Sequence, residues 1–322
     1  MNTINKETIM NNLSESQLSN YQDDIDLVAL LKLIWSKKFL VIAVTISFAI
    51  GSIVYALLLP NIYSSQAVML PAEQDKGMGG LLDQYSGMAG LAGISLPSES
   101  GSKSQEAIAR VQSFKFFSTH FLPYVSLKDL VAAKKWDSAK NNIIYDKKIF
   151  DSESDKWIRK PKYYTRSITP SDQEAFKYYL QSTSIREDKK TSVVSLSVQH
   201  ISPYVAQQWA ELIIEKIDSS MRNQDKIDAM KSVEFLNGLS PTVNYEEIKK
   251  ALSSLQQQQM KRLMMIEGNE NYVFKVLDFP IVPEMKYKPQ RAFIVILGTF
   301  MGLIFGIFLP LAIHFFRSSF IK

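Results

Sequence analysis

The stretch AFIVILGTFMGLIFGIFLPLAIHFF, Ala292 to Phe316, contains no Lys, Arg, Asp or Glu. An α-helix needs about 20 apolar residues to cross the hydrocarbon core of a bilayer, so this stretch is long enough. A buried helix of a soluble protein would normally present a polar face, which this stretch lacks. The sequence therefore predicts a transmembrane helix over residues 292–316, followed by a short cytoplasmic tail over residues 317–322.

Three glycines inside this stretch are spaced by four residues: Gly298, Gly302 and Gly306. On a helix they share one face and leave a groove that another helix can approach closely. Glycine is also frequent in membrane helices in general, which is the alternative explanation for the spacing. Of the two explanations, we favour the one in which the three glycines form a face that packs against another helix.

A second uncharged apolar stretch runs from Phe39 to Leu59. Its Phe, Leu, Ile and Val residues each favour insertion by roughly 0.3–0.6 kcal/mol near the bilayer centre. Residues 39–59 are therefore predicted to form the first transmembrane helix. Its small residues repeat the four-residue spacing, and this row could accept the glycine face within one chain or between neighbours: Ala43, Ser47 and Gly51.

The residues before this helix, 1–38, form the predicted N-terminal tail. Its second half, Asp23 to Lys38, begins with acidic residues, ends with lysines and places apolar residues on one helical face: Ile25, Val28, Leu31 and Trp35. This pattern fits an amphipathic helix on the membrane surface, and it fits equally a plain lead into the first transmembrane helix.

Basic residues flank the two predicted crossings on the side of the chain ends: Lys32, Lys37, Lys38, Arg317 and Lys322. Cytoplasmic loops carry an excess of such residues, so both termini are predicted to be cytoplasmic. Three other basic residues lie on the opposite side of the second crossing and weaken this argument: Lys286, Lys288 and Arg291. Residues 60–291 would then form one extracytoplasmic domain.

The pattern of residues 60–291 predicts an α+β domain with a small mixed sheet and long helices. Alternating apolar and polar residues predict a hairpin over residues 184–200. Strands are also predicted over residues 61–70 and 272–279, which adjoin the two membrane helices, and we expect these two strands to pair. Residues 127–157 are predicted as mixed helix and loop.

Four helices are predicted in this domain, including a short one over residues 171–181 after Pro170. Residues 102–122 carry a capping-box spacing and an apolar face. Ser202-Pro203 begins a long helix, which is predicted to end at Asn237-Gly238, and a second long helix covers residues 245–267. Residues 71–101 are rich in Gly, Met and Ser and predict a loop. That loop either touches lipid or a neighbouring subunit, or is a poorly ordered surface loop.

Composition excludes several classes of protein. The chain has 322 residues, of which 46% are hydrophobic and 21% charged, and this is too polar for a transporter with many crossings. It contains no cysteine, so neither disulfides nor thiolate metal sites are expected. The net charge is +5, but the basic residues are scattered along the chain, so nucleic-acid binding is not expected.

No catalytic motif is present in the sequence. The patterns G-x-x-x-x-G-K-[ST], G-x-G-x-x-G, H-E-x-x-H and G-x-S-x-G are all absent, and His120, His200 and His314 stand alone. We therefore predict no catalytic, cofactor-binding or metal-binding residue, and no enzymatic activity.

Three stretches carry a resemblance to a known family: DIDLVALLKLIWSKK (Asp24–Lys38), SVVSLSVQHISPYVAQQWAELII (Ser192–Ile214) and DFPIVPEMKYKPQRAFIVILGTFMG (Asp278–Gly302). With two terminal membrane helices around an α+β domain, the chain resembles the Wzz chain-length determinant proteins, the polysaccharide co-polymerases of Gram-negative inner membranes. The matching residues are Pro280, Pro283, Pro289, Gly298 and Gly302. The proline spacing departs from a regular repeat, which leaves the geometry of that segment open.

The resemblance implies a ring-like homo-oligomer with a periplasmic domain, no catalytic role and no cofactor. Such proteins set the modal length of O-antigen or a related glycan of lipopolysaccharide, which a Wzy-type polymerase builds on an undecaprenyl-linked carrier. Two alternatives share the pattern of crossings. A periplasmic sensor needs a cytoplasmic output module, for which residues 317–322 are too short, and an exporter adaptor usually has one crossing and a biotinyl-like β-domain.

Overall fold

The computed structural model describes residue 32 and residues 34–72, 99–161, 167–239 and 245–319. Most of the predicted N-terminal tail, most of the Gly/Met-rich loop and the last three residues lie outside the described residues. The chain forms two compact units. One unit combines residues 1–59 with residues 290–322, and the other, called the domain below, is residues 60–289.

The helices and strands follow one another in an order that mixes both types throughout the domain. They are α1 (Lys38–Leu58), β1 (Tyr63–Pro71), α2 (Glu99–Val111), α3 (Phe114–Phe116), α4 (Leu127–Val131), β2 (Ala133–Asp137), β3 (Asn142–Tyr145), β4 (Phe150–Asp151), β5 (Lys156–Trp157), α5 (Asp172–Ser182), β6 (Thr183–Glu187), β7 (Val194–His200), α6 (Pro203–Leu239), α7 (Glu246–Gly268), β8 (Phe274–Asp278) and α8 (Arg291–Ser319).

The first unit contains the helices α1 and α8, which pack against each other. Among the described residues, α1 and the part of α8 up to Ile313 are the two helices long and apolar enough to cross a bilayer. Most of their large apolar side chains are exposed, which is typical of helices that face lipid rather than a protein core.

The main sheet of the domain has four strands in the order β6-β7-β1-β8. The predicted pairing of the first and last strands is confirmed, with Met69 opposite Val276. The sheet was predicted to be mixed, and this detail is wrong, because all three strand pairs are antiparallel. β6 and β7 form a hairpin, and β8 runs back along β1, so no parallel crossover is needed.

The two long helices are confirmed, with one difference. α6 has 37 residues and continues to Leu239, past the predicted stop at Asn237-Gly238. A glycine ends a helix by adopting the left-handed backbone conformation, and Gly238 does not adopt it. One face of α6 is buried through Trp209, Ile213 and Ile217, and it covers the sheet.

The helix predicted over residues 102–122 is broken into parts. α2 ends at Val111, and Ser113 then caps the short helix α3 by accepting a hydrogen bond from the Phe116 amide at 3.2 Å. Serine side chains compete with the helical hydrogen bonds in this way, and the periodicity of apolar residues does not reveal it. The chain continues through a π-helical turn, Phe117–Phe121.

The core of the domain is rich in aromatic residues. Phe121 lies 4.8 Å from Tyr179 and 5.5 Å from Trp209, measured between ring centroids. Phe117 lies 5.2 Å from Tyr179, whose hydroxyl donates to the Val111 carbonyl at 2.8 Å. These rings join α2, α5 and α6 behind the sheet, so a few large side chains hold several elements together.

Residues 127–157 contain two small hairpins, β2–β3 and β4–β5, where helix and loop were predicted. The β2–β3 hairpin is fixed to the sheet by aromatic contacts. Trp136 meets the Tyr63 ring edge-on at 5.6 Å and lies 6.1 Å from the Tyr204 ring. The strands are short and charged, so their contacts with distant aromatic residues, rather than local propensity, determine this structure.

Candidate functional site

The predicted glycine face of α8 lies directly against α1. A Cβ atom on Gly302 would stand 2.5 Å from the Phe48 Cβ and 3.2 Å from the Thr45 Cα. A Cβ atom on Gly306 would stand 3.0 Å from the Val41 carbonyl oxygen, and one on Gly298 would overlap Ser52. A side chain at Gly298 or Gly302 would therefore require α1 or its side chains to shift, and one at Gly306 would require a smaller adjustment of Val41.

The facing residues of α1 repeat at spacings of four, three and four: Val41, Thr45, Phe48 and Ser52. This heptad-like spacing keeps one face of a helix against its neighbour. Phe48 also stacks on Phe305, with ring centroids 5.6 Å apart. We call this contact between α1 and α8 the helix seam.

Hydroxyl groups at the seam are satisfied within their own helices. Thr45 donates to the Val41 carbonyl, Ser52 to that of Ala49 and Thr299 to that of Val295, each at 2.8 Å. Unsatisfied polar groups are costly in lipid, so these bonds let small polar residues occupy an apolar contact.

The row Ala43, Ser47 and Gly51 was predicted to be one acceptor of the glycine face, and within this chain it is not. These three residues are exposed, and a Cβ atom on Gly51 would meet no atom within 4 Å. The row is rotated around α1 away from the seam. Ser47 and Gly51 instead line an open apolar groove beside it, together with Tyr55, Leu297 and Met301.

The proline segment, Pro280 to Pro289, runs beside β1. Pro280 is buried, and its carbonyl accepts from Gln207 of α6 at 3.3 Å. The Ser65 hydroxyl donates to the Ile281 carbonyl at 2.8 Å. Pro283 and Pro289 are half-buried. Proline lacks an amide donor, so this segment contacts its neighbours at separate points, here through the Pro280 and Ile281 carbonyls, instead of forming another paired strand.

The two ends of the domain are joined by a short backbone pairing. The Ile62 amide donates to the Lys288 carbonyl at 2.9 Å, and the Tyr287 amide donates to the Ile62 carbonyl at 2.8 Å. Lys288 also donates to the Gln199 side chain at 3.2 Å. We call this pairing the clasp. It brings together the residues that follow α1 and those that precede α8.

A polar cluster, which was not predicted from the sequence, connects the two long helices to the start of the last strand. Asp218 accepts hydrogen bonds from the Tyr272 and Val273 amides, both at 2.9 Å. Arg222 pairs with Asp218 at 3.0 Å and donates to the Ile266 carbonyl at 2.7 Å. The only signal in the sequence is the Asp218–Arg222 spacing of four, which is common on any charged helix.

Asp225, which lies two helical turns after Asp218 on α6, extends this cluster. It forms an ion pair with Lys103 at 3.0 Å and accepts a hydrogen bond from the Tyr272 hydroxyl. Burial alone would raise the pKa of Asp225, but the hydrogen bonds from Tyr272 and Lys103 outweigh it and lower that pKa. Asp225 therefore stays charged, and α2, α6 and the start of β8 are held together.

Two histidines of the domain, His120 and His200, have structural partners. The buried His200 accepts the Ser202 amide through Nδ1 at 3.0 Å and lies 3.0 Å from the Asp129 carbonyl through Nε2. His120 lies 3.2 Å from the Ser220 hydroxyl, and the His314 side chain lies outside the described residues. Among the described residues, no group of three or more His, Asp or Glu could hold a metal ion.

The family model described as the Wzz chain length determinant protein matches residues 23–113. This match covers α1, β1 and α2, including all the residues on the α1 side of the helix seam. Residues 23–113 are therefore similar to the Wzz family. The resemblance to the Wzz family that was predicted from the sequence is thereby confirmed, and so is the α+β fold class.

Two solved structures are similar over much of this chain. A full-length bacterial polysaccharide co-polymerase is 13% identical, with 92% of this chain and 99% of that chain covered and a TM-score of 0.39. A fragment of WzzB, a polysaccharide co-polymerase from Salmonella Typhimurium, is 14% identical, with a TM-score of 0.31. The similarity covers 71% of this chain and 100% of that fragment. A comparison with curated proteins gives no match.

Proposed function

We propose that this chain regulates the length of a polysaccharide without catalysing bond formation. The single observation that carries the proposal is the match of residues 23–113 to the Wzz chain length determinant family. It supports a role in chain-length control. The glycan we propose is O-antigen or a related lipopolysaccharide glycan, extended on an undecaprenyl-linked carrier by a Wzy-type polymerase.

The proposed location is the inner membrane of a Gram-negative bacterium. Residues 39–59 and 292–316 are proposed to cross it, with residues 1–38 and 317–322 cytoplasmic and residues 60–291 periplasmic. The two long apolar helices support this arrangement, since their exposed side chains suit lipid. The charge bias Lys32, Lys37 and Lys38 before the first crossing supports the orientation.

The proposed mechanism is that of a scaffold. α6 with 37 residues and α7 with 23 residues pack along each other and give the domain a long rigid part. The polar cluster fixes their base to the sheet. In this proposal an oligomer of the chain contacts the polymerase and biases the point at which extension stops, so no reacting group is needed.

The helix pair is the proposed place of contact between subunits. The glycine face is occupied by the seam within one chain, whereas the row Ala43, Ser47 and Gly51 remains exposed. Small residues let backbones approach closely in lipid, so we propose that this row packs against a neighbouring subunit.

The experiment that tests the function is deletion of the gene, with complementation, in the bacterium that carries it. We expect the size distribution of the surface glycan on a gel to change from clustered to random on deletion. Complementation should restore the cluster. An unchanged distribution for lipopolysaccharide and also for capsular and enterobacterial-type glycans would overturn the proposal.

Gly51→Leu tests the subunit contact, with Ile50→Leu as the matched control on the same helix. We expect Gly51→Leu to reduce the oligomer size measured by light scattering in detergent and to shift the glycan length. Ile50→Leu conserves volume and should change neither. If Gly51→Leu leaves both measurements as in the wild type, the row is not the contact between subunits.

A further inference from the structure

The β2–β3 hairpin is held close to the start of β1, the first strand after α1 in the chain. Its Trp136 contacts the ring of Tyr63, the first residue of β1, at 5.6 Å. Tyr63 follows Leu58, the last residue of α1, by only five positions. An extended chain spans at most about 3.6 Å per residue, so the Cα atom of Tyr63 lies within about 18 Å of the end of α1.

The clasp places a second attachment at the same end of the sheet. Lys288 pairs with Ile62, the residue before Tyr63, and precedes the start of α8 at Arg291 by three positions. Met285, which is 84% exposed, and the exposed Tyr287 lie just before it. Aromatic residues and lysines next to an apolar helix are typical of the membrane–water interface.

The hairpin and its flank are strongly basic. Residues 133–148 contain five exposed lysines, against the two aspartates Asp137 and Asp146, which gives a net charge of +3: Lys134, Lys135, Lys140, Lys147 and Lys148. Lys134 pairs with Asp146 at 3.4 Å. The other four lysines are exposed: Lys135 and Lys140 lie on the hairpin, and Lys147 and Lys148 lie in the turn that follows it.

The two faces of the hairpin differ in character. Trp136, opposite Ile143, faces the aromatic residues of the sheet and donates to the Asn141 side chain at 2.9 Å. Lys135, opposite Ile144, lies on the other face, where Ile144 is 44% exposed. The outer face thus combines a lysine with an exposed apolar side chain, as elements that bind at a lipid surface do.

The hairpin is also braced against movement. The Tyr145 hydroxyl donates to the Asp129 carboxylate at 2.6 Å, and the Asp129 carbonyl lies 3.0 Å from the His200 ring nitrogen at the end of β7. Its lysines therefore keep a fixed position relative to the end of the sheet that carries both attachments.

We propose that the β2–β3 hairpin, residues 133–145, docks on the anionic phospholipid headgroups of the membrane that α1 and α8 cross. The inference rests on the membrane anchoring in the proposed function, and it is independent of any role in glycan length. Each lysine close to an anionic surface strengthens binding about fivefold, so the docking depends on lipid charge and on salt.

The chain has no cysteine, so one nitroxide label can be placed at will in the full-length protein. Ile144→Cys places it on the outer face of the hairpin. The matched control is Ser253→Cys, an exposed position on α7. Ser253 lies near Gln256, which bonds to Asn237 of α6 at 2.9 Å, about 50 Å along that helix from Tyr204 at the hairpin.

The measurement is the accessibility of each label to oxygen and to a water-soluble nickel chelate, in nanodiscs of phosphatidylcholine with and without phosphatidylglycerol. We expect the label at residue 144 to gain oxygen and lose nickel accessibility with phosphatidylglycerol, while the label at residue 253 stays unchanged. The double variant Lys135→Gln/Lys140→Gln should lower the ratio of docked to undocked hairpin about 25-fold.

If the label at residue 144 has the same accessibility with and without phosphatidylglycerol, in protein that has inserted, the docking is overturned and the proposed function is left intact. A chain that does not insert would overturn the membrane anchoring, and this inference with it. If phosphatidylglycerol changes the accessibility at residue 144 as much in the double variant as in the wild type, the lysines are not responsible. That result also overturns the proposal.

Discussion

The helix seam and the core of the domain achieve close packing in opposite ways. At the seam, Gly302 has no side chain, and the α1 backbone comes close enough that one Cβ atom would overlap Phe48. In the domain core, Phe121 fills the space between Tyr179 and Trp209. Lipid gives no hydrophobic drive for helices to associate, so close backbone approach is needed there, whereas burial of aromatic area stabilises the domain in water.

The two regions also differ in their polar groups. Hydroxyls of the seam bond to their own helices, as Thr45 does with the Val41 carbonyl. The domain uses side chains to connect distant segments, as Asp218 does with the amides of Tyr272 and Val273. A substitution should therefore act locally in the helix pair and across several elements in the domain.

The largest effect is expected in the aromatic core. Phe121→Ala leaves a cavity among three rings and should reduce the free energy of unfolding by about 3–5 kcal/mol. Urea unfolding of the full chain in detergent, followed by near-ultraviolet circular dichroism, measures it. Phe235→Ala is the control, because Phe235 is 66% exposed, and we expect less than about 1 kcal/mol there. Similar losses for both variants would contradict this account of the core.

The next effect is expected from the polar cluster. Asp218→Ala leaves the Tyr272 and Val273 amides without their acceptor, and each partly buried orphaned group costs about 1–3 kcal/mol. Hydrogen exchange should also become faster in β8 and at the end of α7. Asp228→Ala, an exposed position on the same helix, is the control and should have little effect. Unchanged exchange in β8 would show that Asp218 does not hold that strand.

A smaller effect is expected at the seam. Gly302→Ala introduces a methyl group against Phe48 and Thr45 and should destabilise the helix pair by about 1–3 kcal/mol. Thermal stability in detergent measures this change. Ile296→Val is the control, because it also changes one methyl group on α8 but at a position that is 67% exposed. If the two variants have the same melting temperature, the stability of the seam does not depend on its glycines.

The smallest effect is a pH dependence of the domain. Burial lowers the pKa of His200 below its ordinary value of 6.5, although the hydrogen bond with the Asp129 carbonyl opposes it. As the pH falls, His200 therefore binds a proton in the unfolded chain before it does so in the folded chain. The contribution of His200 to the free energy of unfolding is fully present above pH 6.5 and is lost as the pH falls below that value. The slope cannot exceed about 1.4 kcal/mol per pH unit for one group. Unfolding free energies at a series of pH values measure it.

His200→Gln is the variant that sharpens this prediction, since glutamine does not titrate. We expect its stability to vary less than that of the wild type just below pH 6.5. His120→Gln is the matched control, because burial also lowers the pKa of His120, which is less enclosed. If the wild type and His200→Gln show the same pH profile, His200 is not responsible.

Much of the fold could be predicted because its signals are periodic. The two apolar helices, the β6–β7 hairpin, α6 and the pairing of β1 with β8 all follow from patterns of apolar residues or from their position beside the membrane helices. The end of α2 before Ser113 and the continuation of α6 past Gly238 could not be predicted. Each depends on the local backbone conformation at a helix end, where alternatives are nearly equal in energy.

The candidate site was predicted in part. The spacing of the three glycines indicated a packing face, and that face lies against α1. Its partner residues could not be chosen from the sequence, because a small-residue row and the heptad-like row from Val41 to Ser52 are both regular on α1. The polar cluster was missed because Lys103, Asp218 and Tyr272 are far apart in the sequence and meet only through the fold.

The position of β1 has a consequence for the order of folding. β1 is made first but lies in the middle of the sheet, between β7 and β8. Its Ser64 bonds to Ser197, 133 residues later, and its Ser65 to Ile281, 216 residues later. Sheets with such distant partners assemble slowly. During synthesis the edge of β1 that pairs with β7 therefore stays unpaired until His200 has been made, and the edge that pairs with β8 stays unpaired until Asp278, close to the end of the domain.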